Sequence, residues 1–471
     1  MAIAPVANLA SEQDSTAATK AAPVLPWPSE HAGSGALFAV IFATFLNFFD
    51  VTVFRMLAER IKASFNLSDS ALGFVLGPAS VVAFVFVGIP LSRLVDIYPR
   101  KYVLSASIAV LGAITALGGL AQSFGQPVGS RLCVGAGGAA NGPGSYSLMA
   151  DFFRPARYPL VFALMQLSYI GANALGVWGG GRLLAFTDSL PEHTEVIGLS
   201  IFNWQWILIG IGMPCMLAAI LFLTVREPAR RNPPDIAPLV PGDAGMGRKL
   251  LAFTGLDALK AINVRKAVYW PLFGALAMSA IESQGLPAWR VPFLARTYGW
   301  NEAEIGNFMA PLLLGASLAG LLAGGIFVTW MNKRNVDGNI RATAIIFTCT
   351  TISAIATPLM PSGELAIGCM AMTSFFGLAG APAPNGAIQR IAPNEMRGQV
   401  TALYLFMYTF FGAMGSFVIG TVSDVIVGDP AKLWQALLIV AGVFMPLATF
   451  FMYRAIRPYG PEVKRLQEAG L

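Results

Sequence analysis

Residues 36–57 read ALFAVIFATFLNFFDVTVFRML. Apolar side chains fill nearly every turn of this stretch and leave no continuous polar face for water. A helix that crosses a bilayer needs about 20 mainly apolar residues, and this block has that length. Eleven further blocks follow, over 71–92, 102–122, 128–150, 159–182, 203–225, 268–289, 305–330, 341–360, 364–387, 400–423 and 433–454. The chain therefore reads as an all-α membrane protein with twelve transmembrane helices.

The composition agrees. Of 471 residues, 55% are hydrophobic and only 12% are charged, where a soluble domain carries roughly 25% charge. Mean hydropathy is +0.63. These values exclude a secreted disulfide scaffold, a disordered protein and a nucleic-acid binder. The net charge of +6 does not form a basic patch on a polar surface, because Lys and Arg sit in short gaps between the apolar blocks. Cys133, Cys215, Cys349 and Cys369 lie inside blocks without metal spacing, and His31 and His193 lie outside them. No metal, cofactor or catalytic constellation is expected, so the chain does not read as an enzyme.

The gaps set orientation and domains. Most Lys and Arg residues fall on one side if the N-terminus is cytoplasmic, and an even number of spans then places both termini inside. The expected organisation is a disordered cytoplasmic tail over 1–34, a six-helix bundle over 35–225, and a cytoplasmic linker over 226–267. A second six-helix bundle follows over 268–455, and then a tail over 456–471. Within the linker, Leu250, Leu251, Phe253, Leu256, Leu259 and Ile262 recur at helical spacing beside Arg248, Lys249 and Lys260. That pattern predicts a helix lying on the membrane surface.

The two halves echo each other. Span 4 carries Asn141-Gly142-Pro143-Gly144, and span 10 carries Pro382-Ala383-Pro384-Asn385-Gly386. Each is followed by a basic loop, Arg154-Pro155-Ala156-Arg157 and Pro393-Asn394-Glu395-Met396-Arg397. Spans 1 and 7 each hold one acid about 14 residues in, Asp50 and Glu282. Corresponding interruptions in two halves predict a pseudo-symmetric transporter with its site between the repeats.

Ionisable groups in the hydrocarbon are costly and need a reason. Asp50 and Arg131 are expected at similar depth, as a proton-coupling pair or as a static ion pair. Glu282, in Ser279-Ala280-Ile281-Glu282-Ser283-Gln284, is expected to face the central cavity, where it could bind solute, titrate or pair with Arg290. Arg290 and Arg182 are expected to snorkel from outer helix ends. Gln166, Asn141, Asn173 and Asn385, with Gln284, either bond neighbouring helices or line the cavity. Tyr146, Tyr169, Tyr404 and Tyr408 could contact an amphipathic solute.

These residues resemble those of the major facilitator superfamily over about 36–455. Ser92-Arg93-Leu94-Val95-Asp96-Ile97-Tyr98-Pro99-Arg100-Lys101 is similar to its loop Gly-x-x-x-Asp-Arg-x-Gly-Arg-Arg/Lys, matching at Asp96, Arg100 and Lys101 and departing at Ser92, Ile97 and Pro99. Arg131, Gly135 and Gly137 resemble its span-4 motif, whose Arg takes part in proton coupling in many members. Within the superfamily the chain looks most like the spinster-like branch, through Asp50, Met149-Ala150-Asp151-Phe152-Phe153 and the stretch from Pro393 to Tyr404. It departs from that branch at Val51 and Gly138.

The resemblance implies the major facilitator fold and alternating access. It also implies a small organic or amphipathic solute, such as a lysolipid or an organic anion, moved with protons. Asp50 and Arg131 would couple protons. Glu282, Gln284, Asn385, Gln166, Asn141, Asn173 and Tyr169 would line the cavity. Asp96, Arg100, Lys101, Asp151, Arg154 and Arg397 would form a cytoplasmic gate. An uncoupled facilitator or a drug/proton exporter shares the fold. The expected setting is a plasma membrane, most simply a bacterial inner one. The expected partners are the solute, protons and membrane lipids, and the expected state is a monomer without nucleic acid.

Overall fold

The computed structural model describes residues 27–138, 140–196, 198–230, 265–392 and 397–468. The expected surface helix of the linker and the loop over 393–396 lie outside the described residues, as does most of the N-terminal tail. The first half holds α1 (Glu30–Met56), α2 (Ala58–Phe65), α3 (Asp69–Leu76), α4 (Pro78–Ile97), α5 (Arg100–Gly118) and α6 (Gly125–Gly138). It continues with α7 (Asn141–Phe152), α8 (Tyr158–Thr187), a hairpin of β1 (His193–Val196) and β2 (Leu199–Phe202), and α9 (Gln205–Thr224). The second half holds α10 (Lys266–Tyr298), α11 (Glu302–Arg334), α12 (Gly338–Ala356), α13 (Gly363–Gly380), α14 (Pro382–Ile391), α15 (Arg397–Thr421) and α16 (Leu433–Glu468).

Nine described helices are long and apolar enough to span a membrane. The other three spans fall short for local reasons. Span 2 breaks at Gly77 between α3 and α4, where Pro78 starts the second piece. Span 4 breaks between α6 and α7, beside the Asn141-Gly142-Pro143-Gly144 run. Span 7 is one long helix, α10, but it carries Glu282, Arg290 and Arg296 with three prolines inside it.

Helix ends follow short-range chemistry. Ser29 caps α1 by accepting from the Ala32 N–H. Between α10 and α11 the chain turns through Gly299 at φ 72°, and Asn301 and Glu304 then form a capping box. A residue with a side chain is strained at that φ, and the box satisfies two orphan donors of the new helix. Two expected boundaries move. The tail expected over 1–34 yields its last residues to α1. The tail expected over 456–471 is helical to Glu468, with Tyr459 and Val463 buried and the Tyr459 hydroxyl donating to the Ala387 carbonyl.

The helix pairings repeat between the halves. In the first half span 1 packs on span 5 (α1 on α8), span 2 on span 4 (α4 on α6) and span 3 on span 6 (α5 on α9). In the second half span 7 packs on span 11 (α10 on α15), span 8 on span 10 (α11 on α13) and span 9 on span 12 (α12 on α16). Adding six to each span number converts one set into the other. Small residues permit these crossings, since membrane helices associate by close packing. A Cβ on Gly415 would collide with the Ile281 carbonyl of α10, and one on Gly135 with the Ser80 carbonyl of α4.

The halves meet through α3 against α15 and α8 against α11. Gly73 and Gly77 lie on Ser416 and Ala413, Gly181 lies on the Glu302 carbonyl, and Gly306 lies on Val177. All of these lie toward the far face, opposite the basic loops. One apolar cluster crosses the boundary there, joining Phe54, Leu72 and Val75 to Trp289, Phe293, Met309 and Ile419. Toward the basic face the core divides in two. One cluster holds Leu104, Leu148, Phe152 and Phe222 of the first half. The other holds Tyr269, Leu272, Ile388 and Met452 of the second. The molecule is thus joined at the far face and has separate cores at the basic face.

Candidate functional site

Asp50 precedes the end of α1 by six residues, and Arg131 follows the start of α6 by six. At 1.5 Å per residue each lies about 9 Å from its far end, so the two side chains reach the same depth. Arg131 Nη1 donates to Asp50 Oδ2 at 3.0 Å, and both side chains are almost wholly buried. Phe54, one turn beyond Asp50, lays its ring 4.1 Å from the guanidinium carbon. Only one hydrogen bond joins the pair. Asp50 Oδ1 and Arg131 Nε and Nη2 are buried without a partner among the described residues. A buried ion pair gains net stability only when its remaining polar atoms are satisfied, so this pair is held by burial more than by its own bonding.

Glu282 sits mid-helix in α10 and is 2% exposed. Neither carboxylate oxygen has a partner among the described residues. Arg290, two turns on, acts on it electrostatically and also feels Arg55 of α1 and Tyr169 of α8. The Tyr408 hydroxyl of α15 lies 3.1 Å from Ser283 Oγ, the residue after Glu282. Arg290 Nη2 donates to Ser374 Oγ at 3.1 Å. Spans 1, 5, 7 and 11 thus contribute to one polar cluster with two guanidiniums and one carboxylate. Arg290 does not snorkel as expected. Its helix continues to Tyr298, which leaves it two turns inside, with its Nε buried and unpaired. Arg55 belongs to this cluster and was not anticipated as a site residue.

The neutral candidates divide. Asn173 accepts from Thr52 Oγ1 at 3.2 Å and donates to the Tyr169 carbonyl at 2.9 Å. It fastens α8 to α1 and has little left for a solute. Asn141 is buried and accepts from Ser145 Oγ in its own helix. Asn385 keeps a buried, unpartnered Oδ1. Gln166 is half-buried on α8, and the stem of Gln284 lies against Gly412 of α15. Tyr169 stands edge-on to Phe48 at 4.5 Å between centroids.

On the basic face Arg100 is 1% exposed. It pairs with Asp151 at 2.6 Å and with Glu227 at 2.9 Å, and also donates to the Ser147 carbonyl. Glu227 further accepts from the backbone N–H groups of Arg100 and Lys101. Spans 3, 4 and 6 are tied by this knot, all in the first half. The contacts of this knot all lie within one bundle. Lys101 lies over the Tyr102 ring, and Arg154 is exposed. The side chains of Asp96 and Arg397 lie outside the described residues.

The far face carries a clamp that the sequence reading did not anticipate. Asp69, at the start of α3, is fully buried and accepts from Arg296 Nη1 at 2.8 Å and Nη2 at 3.0 Å, from Ser423 Oγ at 2.7 Å and from Lys62. Arg296 also pairs with Glu59 at 2.8 Å. Asp424 reaches across the halves to accept from the backbone N–H groups of Asp69 and Ser70. Burial alone would raise the Asp69 carboxyl, but Arg296, Lys62 and Ser423 outweigh it and hold it below its ordinary value of 3.8.

Residues 40–416 match the Major Facilitator Superfamily. An MFS-type efflux pump of Mycolicibacterium smegmatis is 24% identical over 89% of this chain and 91% of its own. The cephamycin export protein of Amycolatopsis lactamdurans is 23% identical over 93% of this chain and 94% of its own. The crystal structure of a bacterial homologue of the human lysosomal transporter Spinster, inward-facing and unoccupied, superposes with a TM-score of 0.73 at 21% identity. That superposition covers 94% of this chain and 99% of the other.

Proposed function

The chain belongs to the Major Facilitator Superfamily, and we propose that it moves a small organic or amphipathic anion across the membrane by proton-driven alternating access. Family and fold make it a multi-pass membrane transporter and not an enzyme. The solute and the driving ion are our reading. The observation that carries it is the buried carboxylate of Glu282, unpartnered among the described residues, beside the Ser283–Tyr408 contact, with Arg55 and Arg290 each keeping a buried, unpaired Nε where spans 1, 5, 7 and 11 pack together. Two guanidiniums against one carboxylate leave a positive excess in a place where charge is expensive. An anion entering from the separated side completes that balance. Tyr169 and Tyr408 supply flat faces for its apolar part.

Asp50 is the proposed proton site. Taking a proton removes its charge and releases Arg131, and losing it restores the pair. Buried on the far side of α1, the pair can report on the far-face closure that the solute cluster also touches through Arg55. With the positive-inside rule the basic face is cytoplasmic, both termini lie inside, and the joined far face makes this the inward-facing form. Export is the direction favoured by relatives named an efflux pump and an export protein.

The test uses the full chain in proteoliposomes with an imposed pH gradient and a panel of aromatic carboxylates and lysophospholipids. Asp50→Asn should abolish gradient-driven movement and leave counterflow exchange intact. Arg290→Gln should raise KM for anionic solutes selectively. Gradient-driven transport that survives Asp50→Asn would overturn the coupling assignment. Equal KM changes for anionic and neutral solutes would overturn the anion assignment.

A further inference from the structure

A second basic site lies outside the solute path, at the basic-face end of the second half. The first turns of α10 and the stretch of α16 from Arg454 to Pro458 border an open cavity of about 680 Å³ lined by Lys266, Trp270, Arg454 and Arg457. Three cations face it, and no carboxylate pairs with any of them among the described residues. The neighbouring Arg265–Glu462 pair, at 3.0 Å, ties the two helices together at its edge and leaves these three side chains to the cavity.

The surroundings bear on the kind of anion that would fit there. Trp270 is 60% exposed, so its ring faces outward from the bundle. On α16 the exposed residues Val443, Leu447 and Phe450 lead to Arg454 and Arg457. Their spacing of four, three, four and three places all five on one stripe of the helix. From Leu433 to Arg454 the helix rises about 32 Å, close to the roughly 30 Å of a hydrocarbon core. The guanidiniums therefore sit at headgroup depth, with an apolar track running from them into the membrane. Tryptophan marks the same level. A free phosphate would need the cations but would have no use for the track.

We propose that this cavity binds the phosphate of an anionic phospholipid from the basic-side leaflet, with an acyl chain laid along Val443, Leu447 and Phe450. The lipid bridges the start of span 7 and the end of span 12, where the linker enters the second half. The site is independent of the solute and of its coupling.

Native mass spectrometry of the full chain in detergent, titrated with dioleoylphosphatidylglycerol or dioleoylphosphatidylcholine, tests it. The protein should retain phosphatidylglycerol at concentrations where it retains no phosphatidylcholine. Removing a cation near the membrane surface costs about fivefold in binding. Lys266→Gln/Arg454→Gln/Arg457→Gln should therefore weaken phosphatidylglycerol about a hundredfold. A triple of equal charge in the first half, Lys101→Gln/Arg154→Gln/Arg157→Gln, should leave it unchanged. Should the pocket triple fail to fold, the exposed single change Arg457→Gln should still give the fivefold loss, and Phe450→Gln should weaken the diacyl lipid. Equal retention of both lipids, or unchanged retention by the pocket variants, would overturn the proposal. Full displacement of the lipid by millimolar inorganic phosphate would reassign the cavity to a soluble anion and overturn it as well.

Discussion

The far-face clamp gives the most direct handle on the proposed conformational cycle. Asp69→Asn removes the charge that Arg296, Lys62 and Ser423 converge on, while keeping the shape and one acceptor. Removing one partner of a buried, hydrogen-bonded charge pair costs about 2–5 kcal/mol. Arg296 keeps Glu59, so the lower part of that range applies, about 2–3 kcal/mol. Lost from the far-closed form alone, this is a shift of about 30- to 150-fold at 1.36 kcal/mol per decade. A far-open form populated at about 1% would rise to between about a quarter and over a half. Spin labels on the exposed positions Glu195→Cys and Glu364→Cys, one on each half, read the change in a background lacking the four native cysteines. Pulsed dipolar spectroscopy should show a second, longer distance in Asp69→Asn. The carboxyl is held below 3.8, so its contribution is fully present above that value and lost only as pH falls through the lower one. The clamp should therefore hold unchanged from pH 8 to pH 5. A single unshifted distance in both Asp69→Asn and Arg296→Gln would refute the idea that these residues hold the far face shut.

Four further outcomes are expected. Asp50→Asn leaves Arg131 buried without its counter-charge, a loss of about 3–5 kcal/mol; thermal unfolding in detergent should show it. The double change Asp50→Leu/Arg131→Met should recover most of that stability and none of the gradient-driven transport. Gly415→Val drives a branched side chain into the Ile281 carbonyl and should cost at least about 1–3 kcal/mol, seen as reduced folded yield. Arg100→Met removes the guanidinium that Asp151 and Glu227 share near the basic face; it should lower the melting temperature and leave the spin-label distances unchanged, since the knot lies within one bundle.

Much of the fold was legible because lipid imposes a simple rule on sequence. Every backbone polar group in the hydrocarbon must be paired, so spanning segments are helices of fixed minimum length. Blocks such as 36–57 announce themselves. Breaks at Gly77 and near Asn141 were harder to place, since glycine and proline are common in membrane helices whether or not they interrupt them. Asp50 with Arg131 could be matched by counting residues from helix ends. The Glu282 cluster was half legible: the acid stood out, but the end of span 7 was set at 289, nine residues short of Tyr298, and that error moved Arg290 to the surface. Arg55 obeys the same rule that singled out Asp50, five residues earlier, yet it stands at the very end of the 36–57 block. The Asp69–Arg296 contact joins residues 227 apart in sequence, and no spacing announces a pair of that kind. Glu227 was visible only as the start of the linker.

The seam between the halves is built from Gly73, Gly77, Gly181 and Gly306 lying on backbone and small side chains. Surfaces of this kind part without unthreading interlocked side chains, so few rotamers must be reset each time the far face opens. The same smoothness makes the seam vulnerable to the smallest addition. A single methyl at Gly73 would act as a wedge that keeps the far side ajar while the basic side stands open. A device of two alternating doors would then become a continuous pore, and ions would leak through the protein itself.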